Sequence, residues 1–159
     1  MTLATADISD QYPNEVQIAE PGFHGYGGLP AFAGLISTVS CQDDNSKVRE
    51  ALEEEGNGRV LVVDGSASMQ CALLGDILAA MAHEHQWAGV IVNGCIRDSA
   101  VIATIQIGVK ALDTNPLKSV KRGLGDRDVP VRFAGLDFTP GHWVCADSDG
   151  ILVAPRALV

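Results

Sequence analysis

Two short apolar runs, Arg59–Asp64 (RVLVVD) and Gly89–Val92 (GVIV), constrain this chain more than any other feature. Each is too short for a buried helix, is rich in valine and lacks the polar alternation of a half-exposed strand. Both therefore read as strands buried on both faces. A strand of that kind needs cover above and below, so the chain must fold in layers. The intervening segment supplies one layer, because Asp76–Gln86 carries Ile77, Leu78, Ala80 and Met81 at helical spacing.

The rest of the chain divides around this centre. A short helix is predicted over Thr5–Gln11, followed by an extended Val16–Ala19 and a tight loop at Gly25, Gly27 and Gly28. Phe32–Cys41 is rich in β-formers and reads as a strand. Asp43, Asp44 and Asn45 offer N-caps for a helix over Ser46–Glu55, which Gly56 ends. The second buried strand is expected to stop at the turn Asn93-Gly94, with a helical turn around Arg97–Thr104 and a strand over Val109–Asp113. Short strands then follow at Val131–Ala134, Leu136–Phe138, Trp143–Ala146 and Ile151–Val153, the last two joined in a hairpin by Asp147-Ser-Asp-Gly150. The expected architecture is a single mixed, layered α/β domain over residues 1–159, with a β-α-β-α-β centre flanked by antiparallel strands.

Charge and cysteine usage narrow the function. The chain has 11 Lys+Arg against 20 Asp+Glu and a net charge of −9, which opposes non-specific binding to phosphate backbones. The one basic cluster, Lys118, Lys121 and Arg122, reads as a solvated loop. No apolar run approaches the ~18 residues of a membrane span, and the N-terminus lacks the pattern of an export signal. Four scattered cysteines without a C-x-x-C pair then read as reduced, buried thiols of a cytoplasmic protein.

Two dipeptides carry the candidate chemistry: Gly75-Asp76 and Arg97-Asp98. Each lies beyond a buried strand, near the start of a helix, which is where open α/β sheets bind ligands. The N–H groups of Asp76, Ile77 and Leu78 at the helix start can seat an anion, with Gly75 allowing close approach. Arg97 offers a planar donor fork to a carboxylate or enolate oxygen. Asp98 is a hard oxygen ligand of the kind Mg²⁺ or Mn²⁺ accepts. The set describes a site for a small 2-oxo acid. A helix-capping Asp beside an exposed Arg is the plain structural alternative.

Other motifs carry less. His83 and His85 are two apart, so on a helix they diverge by about 200° and read as solvated residues, not as a zinc pair. RVLVVDGSAS is like the strand and loop of a nucleotide or methyl-donor site, but after Gly65 it lacks G-x-G-x-x-G, and a tight turn explains it. Lys110 lies on a strand with no sign of a catalytic role. Trp87 and Trp143 read as core or subunit-interface residues.

Asp76 followed after twenty residues by Arg97-Asp98 resembles the D-x20-R-D signature of the RraA-like family, which includes 4-hydroxy-4-methyl-2-oxoglutarate aldolases. TADISDQY (Thr5–Tyr12), YGG (Tyr26–Gly28), GRVLVVDG (Gly58–Gly65) and ADSDGI (Ala146–Ile151) are similar to the same family, so the resemblance covers nearly the whole chain. It implies a β/β/α swivelling-domain fold like that of phosphohistidine domains and a homotrimer with sites at subunit boundaries. It also implies a class II aldolase that releases pyruvate and decarboxylates oxaloacetate on the side. In that scheme Asp98 binds Mg²⁺ or Mn²⁺, Arg97 stabilises the pyruvate enolate, the Gly75–Leu78 backbone holds the substrate carboxylate and Asp76 orients a water. Longer relatives add a C-terminal acid from a neighbouring subunit. This chain ends in APRALV, and Asp147, Asp149 or water is left to fill that place. Other members of the family bind ribonuclease E and regulate it without catalysis. They tend to lack the Arg-Asp pair, so its presence here favours the enzyme.

Overall fold

The computed structural model describes residues 3–159. In chain order the elements are α1 (Thr5–Gln11), β1 (Gln17–Ile18), β2 (His24–Gly25), β3 (Phe32–Ser40), α2 (Ser46–Leu52), β4 (Val60–Asp64), β5 (Ala72–Leu74) and α3 (Asp76–Glu84). They continue with β6 (Gly89–Ile96), α4 (Ser99–Ile102), β7 (Gly108–Thr114), β8 (Asp126–Arg127), β9 (Val131–Phe133), β10 (Leu136–Phe138), β11 (Trp143–Ala146) and β12 (Ile151–Ala154). Among the described residues no helix is long and apolar enough to cross a membrane.

The two valine-rich runs lie side by side at the centre of a sheet ordered β1-β12-β11-β3-β4-β6-β7-β2. β3, β4, β6 and β7 are parallel to one another, and the β11–β12 hairpin and β2 close the sides antiparallel. Alternate residues of β4 serve the two layers. Leu61 and Val63 pack with Val48, Leu52, Leu78 and Ala82 of α2 and α3, whereas Val60 and Val62 pack with Phe133, Leu136 and Phe138 of the β9–β10 hairpin. Helices, sheet and small hairpin stack as the expected β/β/α layers. α1 closes a third cluster, in which Ile8 meets Trp143, Cys145 and Leu152. Both tryptophans are core residues, and all four cysteines are buried and free. Burial holds the thiols of Cys41 and Cys145 up at about 12.

Three departures from the sequence reading bear on the site. Asn93-Gly94 does not end its strand, since β6 runs on to Ile96. Its pairing with β7 slips between Val92 and Cys95, so the turn-like dipeptide is a bulge held by partners on both sides. Ala72–Leu74, too short to show a period, forms β5 and pairs in parallel with the end of β6. Gly25 pairs as part of β2 against Lys110, although Gly27 and Gly28 do lie in the tight loop beyond it. The helices over 46–52 and 76–84 also stop short of their expected ends. The histidine pair separates as expected: His83 Nδ1 lies 3.1 Å from the Gln106 carbonyl and His85 Nδ1 2.7 Å from that of Leu52.

Glycine is required where the Phe32 ring crosses β6 and β7. A Cβ on Gly108 would stand 2.0 Å from Phe32 Cδ1, and one on Gly89 would stand 2.3 Å from Cδ2. Gly108→Ala therefore overpacks the centre of the sheet and is expected to cost about 2 kcal/mol, near the middle of the range for such insertions. Thermal unfolding checks this. Phe32→Leu, destabilising alone, should recover part of the loss when combined with Gly108→Ala.

Candidate active site

Each residue of the two dipeptides reaches the same place through the end of a strand. β5 delivers Gly75 and Asp76, β6 delivers Arg97 and Asp98, and the Arg97 N–H donates to the Leu74 carbonyl at 2.9 Å, pinning one strand end to the other. Asp98 then adopts a left-handed backbone, φ 58° and ψ 37°, which turns the chain into α4. A non-glycine residue there is strained, and such strain persists where surrounding contacts over-determine it. The contact here is direct: the Asp76 N–H at the start of α3 donates to Asp98 Oδ2 at 3.0 Å.

This pairing amends the expected anion seat. The first N–H of α3 is taken by the protein's own carboxylate, which leaves Ile77 and Leu78 to offer theirs at the helix start. Ile77 offers only its backbone, its side chain being 68 % exposed, whereas Leu78 is buried. Asp98 caps α3 from outside while remaining exposed to solvent on its other side. Its carboxyl is held below the ordinary range, first by the Asp76 N–H, with the Asp76 side chain and the Arg97 guanidinium adding to the effect against burial. Gly75 leaves room for the Asp98 carboxylate. A Cβ there would lie 2.9 Å from Asp98 Oδ2 and 3.5 Å from Arg97 Cγ and Nε.

All of Gly75, Asp76, Ile77, Leu78, Arg97 and Asp98 line one cleft of about 130 Å³. The rest of the lining was not foreseen. It includes Asn45 and Arg49 of the α2 region and Lys118, Ser119 and Lys121. Lys118 and Lys121 are solvated, as their sequence context predicts, but they also face the cleft. The local signal for this was weak, because only tertiary contacts fold the 115–125 segment back. Asn45 Nδ2 donates to the Leu73 carbonyl at 3.2 Å, and Ser119 Oγ donates to Asn45 Oδ1 at 2.7 Å. Asp44, 2 % exposed, accepts from the Ser46, Arg122 and Leu124 N–H groups and from the Ser46 hydroxyl. Burial alone would raise its pKa, but these donors hold it down at about 2. Of the candidates at 43–45, Asn45 stands at the N-cap of α2 without a side-chain cap bond, while Asp44, one residue earlier, accepts from the Ser46 N–H and anchors the basic loop.

The donor set can be tested against a metal. Among the described residues no three His, Cys, Asp or Glu side chains converge as a ready-made cage. Two adjacent carboxylates, Asp76 and Asp98, opening onto a solvent-filled cleft fit a hard cation that keeps water and takes ligand oxygens, as Mg²⁺ and Mn²⁺ do. They do not suit a closed structural zinc site. Asp147 and Asp149, the candidates for a further acid, do not line this cleft. Asp147 instead accepts from the Thr5 N–H at 2.8 Å and the Thr5 hydroxyl at 2.7 Å, tying α1 to the β11–β12 hairpin.

The loop at residues 65–68 is closed upon itself. The N–H groups of Gly65 and Ala67 donate to the Asn93 carbonyl, that of Ser66 to Asp64 Oδ1 and that of Ser68 to the Gly65 carbonyl. A nucleotide-type cofactor would find no free backbone donor there, in keeping with the tight-turn reading.

Two variants test the geometry. Asp44→Asn should lose on the order of 2 kcal/mol, because hydrogen bonds to an ionised group are weakened together. Since the folded-state pKa is depressed, the wild-type tether is fully present above about pH 4 and weakens as pH falls through about 2. Acid unfolding followed by circular dichroism should show that loss in the wild type and little of it in the variant. Gly75→Ala should unfold at nearly the wild-type temperature yet lose at least half of any divalent-metal affinity measured by calorimetry, because the new methyl displaces the Asp98 carboxylate.

A sequence model described as RraA-like (aldolase/RraA) matches residues 5–153. A protein of Alkalilimnicola ehrlichii named "Putative 4-hydroxy-4-methyl-2-oxoglutarate aldolase" is 55 % identical over 159 residues, covering 100 % of this chain and 99 % of that protein. One of the same name from Aromatoleum aromaticum is 53 % identical over 159 residues, covering all of both chains. Among solved structures, one from Geobacillus kaustophilus titled as an S-adenosylmethionine: 2-dimethylmenaquinone methyltransferase superposes with a TM-score of 0.96 at 52 % identity, covering 98 % of this chain and 96 % of that one. The RNA-processing inhibitor RraA of Thermus thermophilis does so with a TM-score of 0.95 at 43 % identity, covering 100 % and 96 %. The names of these relatives diverge, but the match in sequence and fold runs the length of the chain: it belongs to the RraA-like family.

Proposed function

We propose that this protein is a divalent-metal-dependent aldolase that cleaves 4-hydroxy-4-methyl-2-oxoglutarate into two molecules of pyruvate, with oxaloacetate decarboxylation as a side activity. The observation that carries the reading is the Asp98 carboxylate fixed beside Arg97 at the start of α3, in a cleft that basic side chains also line. Four basic side chains, Arg49, Arg97, Lys118 and Lys121, line this cleft, which suits a substrate with a carboxylate at each end. The names of the relatives point the same way.

Asp98, with Asp76 beside it, would hold Mg²⁺ or Mn²⁺, which supplies Lewis acidity toward the carboxylate and 2-oxo oxygens of the substrate. The free N–H groups of Ile77 and Leu78 receive the proximal carboxylate, and the basic side chains receive the distal one. Arg97 donates to the 2-oxo oxygen. Asp76 orients a water that takes the proton of the C4 hydroxyl. The C3–C4 bond then breaks, C4 becomes the carbonyl of one pyruvate, and the bonding pair passes into the enolate of the other. Arg97, held at the end of β6, would meet the charge that develops on that oxygen. Protonation at C3 completes the second pyruvate. Loss of CO₂ from oxaloacetate leaves the same enolate, which is why the side activity is expected. No Schiff-base lysine takes part.

A second reading, regulation of RNA processing by binding ribonuclease E, is favoured by the 43 % identity to the Thermus inhibitor. The net charge of −9 suits a basic, extended partner segment. A homotrimer, on the strength of family resemblance, and a cytoplasmic location, on the strength of four free cysteines, remain part of the proposal. The methyltransferase title of the Geobacillus structure finds no support in the self-closed 65–68 loop.

Pyruvate release coupled to lactate dehydrogenase tests the proposal. The protein with Mg²⁺ or Mn²⁺ should turn over 4-hydroxy-4-methyl-2-oxoglutarate, and EDTA should abolish this. Asp98→Ala should lose activity and metal dependence together. Arg97→Ala should fold normally while kcat falls about 100-fold or more, the range for removing a donor to a developing oxyanion. If no 2-oxo acid yields pyruvate with either metal, the regulatory reading takes its place.

A further inference from the structure

Lys110 is the one charged side chain buried among the described residues that the cleft does not use and that has no partner in the chain. It lies in the first half of β7, paired with Ile91 of β6 on one side and Gly25 of β2 on the other. Its strand neighbours Val109 and Ala111 pack toward the helices, whereas Gly108 abuts Phe32 on the opposite face. Strand alternation therefore turns Lys110 to the face away from α3 and Asp98.

The side chain is 5 % exposed, and among the described residues no carboxylate or carbonyl accepts a hydrogen bond from its ammonium. The ammonium keeps contact with solvent only where it borders two depressions, and an anion bound there would take over that limited solvation. Burial pushes its pKa down, and Asp147 offsets this in part. Asp147 makes no hydrogen bond or ion pair with it, its oxygens accepting instead from Thr5 and the Asp149 N–H.

Two depressions flank the ammonium, and Lys110 and Ser148 line both. One, of about 210 Å³, is bordered by Glu20 and Asp149, which repel an anion. The other, of about 410 Å³, has no acidic residue in its lining and is walled by Phe23, His24, Leu29 and Pro30. Gly25 borders it beside the ammonium, a Cβ at that position standing 3.6 Å from Lys110 Nζ.

We propose that Lys110 and Ser148 form a second binding site, on the face of the sheet opposite the Asp98 cleft, for a small monocarboxylate with a short apolar tail. The ammonium and the Ser148 hydroxyl donate to the carboxylate, and Phe23, Leu29 and Pro30 cover the tail. A single negative charge is preferred, because Glu20 and Asp149 lie just beyond the ammonium. The site is independent of the aldolase reading, since it shares no residue with the cleft.

Butyrate is a suitable probe, titrated into the full-length protein and followed by amide NMR and thermal unfolding. Saturable shifts are expected at Gly25, Lys110 and Ser148, with a rise in unfolding temperature. Lys110→Met should weaken this binding about tenfold or more, the size expected when a charge-assisted hydrogen bond is removed. It should also unfold no lower than the wild type without ligand, because an unpaired buried charge gives way to an apolar chain. Ser148→Ala should weaken binding several-fold, and it carries the test if Lys110→Met fails to fold. Three results would overturn the proposal. They are shifts that do not saturate, shifts confined to residues around Arg97, and a response unchanged in the variants. Shifts at Gly25 and Ser148 that instead follow protein dilution would assign the ammonium's partner to a second copy of this chain, and the small-ligand site would fall.

Discussion

The burial of β4 and β6 on both faces is the constraint from which the rest of the molecule follows. A parallel pair rich in valine, leucine and isoleucine and buried along its length is stable only if water is kept from both sides. The helices α2 and α3 cover one side, and the β9–β10 hairpin with Phe32 covers the other. That arrangement sends the ends of β5 and β6 to one edge on the helical face, where the candidate chemistry lies. It also leaves Lys110 on the other face, separated from that chemistry by the full thickness of the sheet.

Within the cleft, one hydrogen bond does two jobs. The Asp76 N–H stabilises Asp98 as an anion and fixes its direction, and Asp98 in turn supplies the negative charge that the start of α3 favours. Capping and ligand binding are therefore not competing explanations of these residues. A carboxylate that satisfies one helix-start donor still has lone pairs for a cation, and two further N–H groups remain for a second anion. The strained backbone at Asp98 is sustained by this bond and by the bulge at Asn93-Gly94, which shifts the register of β6 just before Arg97.

The loop between β3 and α2 acts as the hub that completes the cleft. Asp43 accepts from Ser68, Asn45 reaches Leu73 and Ser119, and Asp44 gathers the backbone of Arg122 and Leu124. Residues separated by up to eighty positions are thus held around three consecutive side chains. The two lysines line the Asp98 cleft because this hub folds the 115–125 segment back. Without it Lys118 and Lys121 would be ordinary solvated lysines.

The sequence by itself determined the layered α/β centre, the hairpin at 147–150, the divergence of the His83 and His85 side chains, and the pairing of Gly75-Asp76 with Arg97-Asp98 as one candidate site. These features rest on local periodicity, on turn chemistry and on residue types whose roles do not depend on distant partners. Only the tertiary structure decided that Asn93-Gly94 is a bulge, that three residues at 72–74 form a strand, that the first N–H of α3 belongs to Asp98, and that Lys118, Lys121 and Arg49 face the cleft. The physical reason is the same in each case. A short strand, a bulge or a flexible lysine acquires its conformation from hydrogen bonds and packing contributed by remote parts of the chain, and no window of neighbouring residues contains that information.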